Sequence, residues 1–309
     1  FDLLGFILAG LGLALVMYAV TEGPNLGWVP AIYGSLLAGL LLLSLFVIAE
    51  LRMKTPMLNL RLYQDRLFRT ATLVFLFAIA SFIGLLFVLP LYLQEARGIS
   101  PLISGLTTFP EALGLMASAQ IVGRIYSRVG PRRLVVVGQI GVTVMLCLLL
   151  LVNLTTNLWL IRILTFFAGV AIAYTLIPIQ AAAFANISAA ATGKASALYN
   201  AQRQIGSALG VAMVGSVLKL VGPVSHNASG VAQPNLAAYH ASFLTSAIIA
   251  LLGACIALFI HNSDAAATMQ RKQRSQDSAE KSDAIASCMA LLAFVILLLI
   301  ALRRKNDAT

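Results

Sequence analysis

"GRIYSRVGPRR", residues 123–133, places four arginines in eleven residues. The stretches on either side, "FPEALGLMASAQIV" (109–122) and "LVVVGQIGVTVMLCLLLLV" (134–152), hold no Lys or Arg at all. Cations gathered so tightly between two apolar runs describe a short loop joining two membrane-crossing helices. Composition agrees. The 309 residues are 60% hydrophobic and 10% charged, with a mean hydropathy of +0.93, whereas about a quarter of the residues in a soluble globular chain carry charge.

Working outward from that loop, nine runs are long and apolar enough to cross a bilayer, a crossing that takes roughly 20 helical residues. They lie at about 3–20, 29–49, 70–93, 102–122, 134–153, 158–180, 201–221, 239–260 and 284–302. Each is expected to be a helix, because a lone strand in lipid leaves its backbone N–H and C=O groups unpaired. Turn residues punctuate the series at Gly23-Pro24-Asn25, Gly130-Pro131 and Gly222-Pro223. The first run has no basic leader and no clear small-residue cleavage site, so it reads as a span, not as a secretory signal.

The cations now sort by side. Loops after the second, fourth, sixth and eighth spans hold Arg52, Lys54, Arg61, Arg66 and Arg69, then Arg124, Arg128, Arg132 and Arg133, then Lys194, then Arg271, Lys272, Arg274 and Lys281. Arg203 starts the seventh span on that same side. The other side has Arg97 in a loop, with Arg162 and Lys219 near span ends, where long side chains snorkel. Lys and Arg are retained in the cytoplasm, so the even-numbered loops and Phe1 are expected there. The net charge of +10 is thus an orientation signal, and its spread over short loops argues against a nucleic-acid surface. The ninth run breaks the pattern, since it carries Arg303-Arg304-Lys305 to the opposite side, and its orientation stays open. The polar linker before it, 262–283, reads as a solvated connector.

Other chemistry is sparse. Cys147, Cys255 and Cys288 fall within spans, where a thiol behaves as a small apolar group, and the three histidines show no ligand spacing. No P-loop, GxSxG or HExxH pattern occurs, which argues against an ATPase or a familiar hydrolase. No metal and no cofactor are implied, and an enzyme is not expected.

"GRIYSRVGPRRL" resembles the cytoplasmic-loop signature of the major facilitator superfamily, G-x-L-x-D-R-x-G-R-R. Gly123, Arg128, Gly130, Arg132 and Arg133 match, Arg124 lies within it, and Ser127 stands where the acidic residue would be. Four further stretches are similar, in order, to landmarks of the fourteen-helix drug:proton antiporters of the EmrB/QacA type. They are "FDLLGFILAGLGLALVMYAVTEGPNLGW" (1–28), "TPMLNLRLYQDRLFRTAT" (55–72), "LPLYLQEARGISPLISGLTTFPEALG" (89–114) and "GKASALYNAQRQIGSALGVAMVGSVL" (193–218). The resemblance covers about residues 1–261. It implies an all-α polytopic membrane protein with two accessory helices (1–50), a basic cytoplasmic loop (51–69) and the C-terminal six-helix transporter bundle (70–261), an inverted three-plus-three repeat. The polar linker follows, then an extra helix (284–302) with no counterpart in the family, then a basic tail (303–309). An N-terminal six-helix bundle is implied but absent from this chain, and the opening Phe1 fits a portion of a longer product.

By the same resemblance, spans three, four, six and seven line a substrate cavity while five and eight pack outside. Glu111 stands first among the candidates. It lies about ten residues, roughly 15 Å, into the fourth span, where a carboxylate is costly unless protonated, paired or facing water. It is read either as a proton-linked or cation-binding group, or as a structural hydrogen-bonding group beside the Pro110 kink. Arg203 matches an arginine typical of the subfamily and either braces the start of its span or anchors it to the cytoplasm. Gln94, Asn200, Gln120 and Gln202 are candidate hydrogen-bond donors to substrate or to neighbouring helices. Phe82, Phe109, Met116 and Tyr174 are candidates for an adaptable pocket wall. Gly206 with Gly210, and Gly114 with Ser118, are small-residue pairs that permit close helix approach. The expected function is proton-coupled multidrug efflux by alternating access, exchanging protons for small drug-like molecules across the inner (plasma) membrane. Two alternatives are a transport-incompetent scaffold or partner-binding fragment, and an exporter of one metabolite or lipid.

Overall fold

The computed structural model describes residues 3–26, 29–52, 60–226, 232–261 and 264. It is nearly all helical: α1 (Leu3–Leu26), α2 (Pro30–Arg52), α3 (Arg66–Leu91), α4 (Pro101–Thr108), α5 (Pro110–Val129), α6 (Pro131–Leu149), α7 (Leu158–Ala183), α8 (Thr192–Val221) and α9 (Leu236–Ala257). Leu60–Gln64 forms a 3₁₀ turn before α3, and Tyr92–Ala96 extends α3 as a π-helical turn. A two-stranded antiparallel ribbon, β1 (Val224–His226) with β2 (Ala232–Pro234), joins α8 to α9.

Local chemistry sets these boundaries. Asp65 caps α3 by accepting from the Phe68 N–H at 2.7 Å, and Asn157 caps α7 by accepting from the Trp159 N–H at 2.9 Å. Pro101, Pro110 and Pro131 each open a helix, where the missing N–H is no loss. Gly130 has φ 82°, a conformation that L side chains rarely adopt, so one residue turns the chain from α5 into α6. The arginine signature therefore lies on two helix ends meeting at Gly130, not on an extended loop.

Several expected boundaries move. Helix α1 runs through Gly23, Pro24 and Asn25, which had read as a turn, because a proline in the last turn removes one hydrogen bond near an end already short of them. Helix α8 begins at Thr192, nine residues before the apolar run, so Lys194 lies on its first turn. Its opening "TGKASALYNAQ" is too polar to register as a span but contains good helix formers. The fourth span is two helices, α4 and α5, divided at Phe109. Pro110 cannot donate to the Leu106 carbonyl, although Phe109 keeps helical angles of φ −52° and ψ −37°.

Among the described residues, six helices are long and apolar enough to cross a membrane: α2, α3 with its π turn, α6, α7, α8 and α9. The apolar stretch of α1, Gly5–Ala19, is shorter, and the α4/α5 pair is broken and carries Glu111, Arg124 and Arg128. The linker 262–283 (apart from Asp264), the expected helix 284–302 with Cys288, and the tail 303–309 lie outside the described residues.

The helices alternate in direction, and side-chain bonds mark the two ends. At one end the Asn186 amide donates to the Asp65 carboxylate at 3.2 Å, joining the exit of α7 to the entry of α3. At the other, the Tyr92 hydroxyl donates to the Asn153 carbonyl at 2.8 Å, and the Arg97 guanidinium donates to the Thr156 carbonyl at 2.7 Å. His240 Nε2 lies 2.9 Å from the Val152 carbonyl at this same end. The first end carries Arg61, Arg66, Arg69, Arg124, Arg128, Arg132, Arg133 and Lys194, and is called the basic end below.

Helix α3 is the hub and packs against α7, α8 and α9, while α5 lies against α7 and α6 against both α7 and α9. Helix α1 pairs with α2 and touches α8. Two apolar clusters stack along the hub, one around Phe68, Phe75, Ile179 and Leu198, the other around Leu89, Tyr92, Leu146 and Phe243. Lipid is as apolar as leucine, so close backbone approach has to hold the helices together. A Cβ on Gly206 would lie 2.9 Å from the Leu76 carbonyl oxygen, and one on Gly210 would overlap the Ala80 carbonyl. On α5 and α7, a Cβ on Gly114 would strike the Phe166 carbonyl and one on Gly169 the Glu111 carbonyl.

One buried group spoils the packing. Gln139 on α6 is 0% exposed, and neither its amide N nor its amide O has a partner among the described residues. Its amide lies against Gly253 of α9, where an added Cβ would overlap it. An unpaired buried polar group costs about 1–3 kcal/mol, and methionine has similar length and no such demand. Gln139→Met is expected to stabilise the protein by about 1 kcal/mol or more, read as a higher midpoint of thermal aggregation in detergent. A lower midpoint would mean that the amide is satisfied in the membrane.

Candidate functional site

The break between α4 and α5 sets Glu111 on the first turn of α5, facing α7. Its depth follows from both helices. Glu111 is ten residues beyond the start of α4, and Gly169, which meets its backbone, is eleven residues beyond the start of α7. Each count gives roughly 15 Å from the end opposite the basic one, about half of a hydrocarbon core ~30 Å thick. The residue is 3% exposed, and neither carboxylate oxygen has a hydrogen-bond partner among the described residues.

The surroundings of Glu111 are polar on one line. Ser104 and Thr107 of α4 and Ser118 of α5 are also buried and share the face that meets α7. The one hydroxyl proton of Thr165 on α7 is shared between the Arg162 carbonyl at 3.0 Å and the Thr107 carbonyl at 3.3 Å. At the end opposite the basic one, the exposed Gln94 donates to the Ser104 hydroxyl at 3.3 Å.

A second arrangement lies nearer the basic end. A cavity of about 250 Å³ between α3, α7 and α8 is lined by Phe75, Ile79, Leu176, Gln180, Phe184, Ser196, Tyr199, Asn200 and Arg203. Tyr199 stacks on Phe75 with ring centroids 4.0 Å apart and tilts against Phe184 at 5.6 Å, so the wall is rigid and aromatic. The Tyr199 hydroxyl is buried without a partner among the described residues. Arg203 is exposed beside it, and the Asn200 amide donates to the Ser196 carbonyl at 3.0 Å. A separate, larger groove of about 610 Å³ lies between α1, α3 and α8, lined by Met17, Ile83, Phe87, Gln204, Ser207 and Lys219 among others.

The expected site residues do not converge on one point. Asn200 and Arg203 share the small cavity, Gln94 joins the polar line that leads to Glu111, and the rest lie elsewhere. Phe82 packs into the apolar cluster near Leu89, and Tyr174 packs on Val122, Tyr126 and Leu134. Met116 is 59% exposed and Phe109 is also exposed, as is Gln120, while Gln202 is buried. Of the arginine signature, Arg124, Arg128, Arg132 and Arg133 are exposed at the basic end. Ser104, Thr107 and Thr165 escaped the sequence reading, as did the Phe75–Tyr199–Phe184 wall. Spacing was an available signal for the first two, since 104, 107 and 111 fall on one helical face. Nothing in the sequence pairs three aromatics from three separate stretches of chain.

Comparison with known proteins places these features in a family. The model of the "Major Facilitator Superfamily" matches residues 3–211 and 70–305. Multidrug resistance protein Stp of Mycobacterium tuberculosis is 32% identical over 71% of this chain and 41% of its own length. Methylenomycin A resistance protein of Bacillus subtilis is 31% identical over 71% of this chain and 47% of its own. Lincomycin resistance protein LmrB of Listeria monocytogenes is 26% identical over 85% of this chain and 57% of its own. The chain spans about half the length of the curated relatives it matches.

Proposed function

The chain belongs to the Major Facilitator Superfamily, and from that premise we propose that it works as the C-terminal portion of a proton-coupled exporter of drug-like molecules, of the fourteen-helix type. Membership makes it part of a multi-pass membrane transporter, not an enzyme. The drug and antibiotic resistance in the relatives' names supports small-molecule substrates, and the chain's share of their length supports a missing N-terminal bundle.

The observation that carries the reading is Glu111. A carboxylate 3% exposed at half depth, with neither oxygen hydrogen-bonded among the described residues, has no structural bond there to explain it. Such a group is tolerated while neutral and responds to a proton or to a cation that replaces it. Exchange of the two at one carboxylate is the elementary act of antiport: the proton leaves as the positively charged substrate arrives, and the reverse on the other side. Rocking of two bundles about a midplane site would expose Glu111 to each side in turn.

The basic end is proposed to face the cytoplasm. Arg132 and Arg133 stand on the first turn of α6, where the helix dipole disfavours cations by about 0.3–1 kcal/mol each. Their placement there is explained by membrane orientation and not by local stability. The full-length protein, reconstituted in vesicles with a lincosamide or a cationic dye inside, is expected to expel it when a proton gradient is imposed and no ATP is present. Movement that ignores the gradient would overturn the coupling, and no movement of any such compound would favour a non-transport role.

A further inference from the structure

The face of α4 and α5 buried against α7 is small and polar, as helix contacts in lipid often are, but it also buries a carboxylate. From residue 101 to 121, every buried residue is Ser104, Thr107, Glu111, Gly114 or Ser118. Most large apolar residues of the same segment, Leu102, Leu106, Leu113 and Met116 among them, are exposed, and Leu115 is partly buried. Close packing explains the glycine, and alanine would serve it equally at the serine positions. It does not explain Glu111; the Thr107 hydroxyl donates to the Ile103 carbonyl at 2.8 Å and keeps its lone pairs for a water. The line is also one-sided. It begins at the exposed Gln94, bonded to Ser104 at the end opposite the basic one, and beyond Ser118 it is closed by buried Val122 and Tyr126.

We propose that this face is a proton path, running from Gln94 through Ser104 and Thr107, that loads Glu111 from the end opposite the basic loops. The inference rests on the reading that Glu111 exchanges a proton. Side chains three and four residues apart on a helix are about 5–6 Å apart, a gap that one transient water spans. A hydronium arriving at the Gln94 mouth passes its proton along these waters, held by the hydroxyls of Ser104, Thr107 and Thr165. The last transfer turns the Glu111 carboxylate into its neutral acid and leaves water behind. Apart from Glu111, the charged groups of α4 to α7 stand at the two ends, with Arg124 and Arg128 of α5 at the basic one. Glu95 and Arg97 lie in the π turn, with Arg97 bound to the Thr156 carbonyl, and Arg162 on α7 lies over the Trp159 ring at 4.7 Å. Helix α6 contributes only Arg132 and Arg133, at the far basic end.

The test uses the full-length protein, oriented in vesicles and loaded with a cationic dye, with the pH varied on one side at a time. Ser104→Ala and Thr107→Val are each expected to need about fivefold more protons on the Gln94 side for half-maximal proton-driven transport. The dependence on pH at the basic side is expected to keep its shape, and Thr107→Ser is expected to restore the parent profile. Unchanged profiles in both variants, while Glu111→Gln is impaired, would overturn the path and leave the Glu111 reading standing. An equal shift from both sides, or no rescue by Thr107→Ser, would also overturn it, as signs of a purely structural role. If Glu111→Gln itself matches the parent, the proton reading of Glu111 fails and the path falls with it.

Discussion

Replacing Glu111 with Gln in the full-length protein is expected to reduce the coupling between drug and proton by about 5–150-fold, the usual range for linked binding sites. Glutamine keeps the size of the side chain and removes the titrating group. A cationic substrate then displaces no proton at this position, so drug-linked proton release, read with a pH dye in weakly buffered detergent solution, is expected to fall by a factor in that range. Efflux of singly charged cations is expected to fall with it, while an uncharged substrate loses less. The physical ground is burial: a carboxylate 3% exposed, with no hydrogen-bond partner among the described residues, is stable as an anion only when something positive sits beside it. Glu111→Asp, shorter by one methylene, is expected to retain part of the coupling. Undiminished proton release in Glu111→Gln would move the coupling elsewhere and reduce Glu111 to a packing residue.

The second large effect concerns the helix crossings. Gly210→Val forces a branched side chain into the Ala80 carbonyl, and Gly169→Val does the same to the Glu111 carbonyl. In both places the obstacle is backbone, which cannot rotate away. Overpacking of this kind costs about 1–3 kcal/mol even where side chains give, so losses at or above that range are expected. The readout is the yield of monodisperse protein and its melting midpoint in detergent. Gly215→Ala is the control, because its nearest neighbour is the Phe87 ring at 3.5 Å, an ordinary contact with a movable group. Gly169→Val carries a further consequence, since separating α5 from α7 unseats Glu111. If it folds, its drug-linked proton release is expected to fall as well. Equal stability of Gly210→Val and Gly215→Ala would show that α3 and α8 do not meet as closely as described.

Much of this architecture was legible in the sequence because lipid imposes simple rules. A segment that crosses must satisfy its own backbone, so apolar runs became helices, and cations clustered at Gly123–Arg133 marked one end of the bundle. Glu111 stood out for the same reason, as a charge where charges are rare. Boundaries were read less well where helices project beyond the apolar run, as α8 does with its polar opening turns, or where Pro110 divides a span without changing its direction in the sequence.

Composition and spacing by themselves determined the class of the protein, the place of six of the nine expected spans, the basic end, and the carboxylate at half depth. Only the tertiary structure decided which faces meet. In water an apolar stripe announces the buried side of a helix, but in lipid the outer face is as apolar as the inner. On α4 and α5 it is more so, with Leu106 and Met116 outside and Thr107 and Glu111 within. The Phe75–Tyr199–Phe184 wall is built from α3, α8 and the residue that caps α7, separated by long stretches of chain, and no local pattern encodes such a meeting. The contacts of Gly169 with Glu111 and of Gly210 with Ala80 are likewise set by where backbones cross, a property of the packed bundle and not of any one segment.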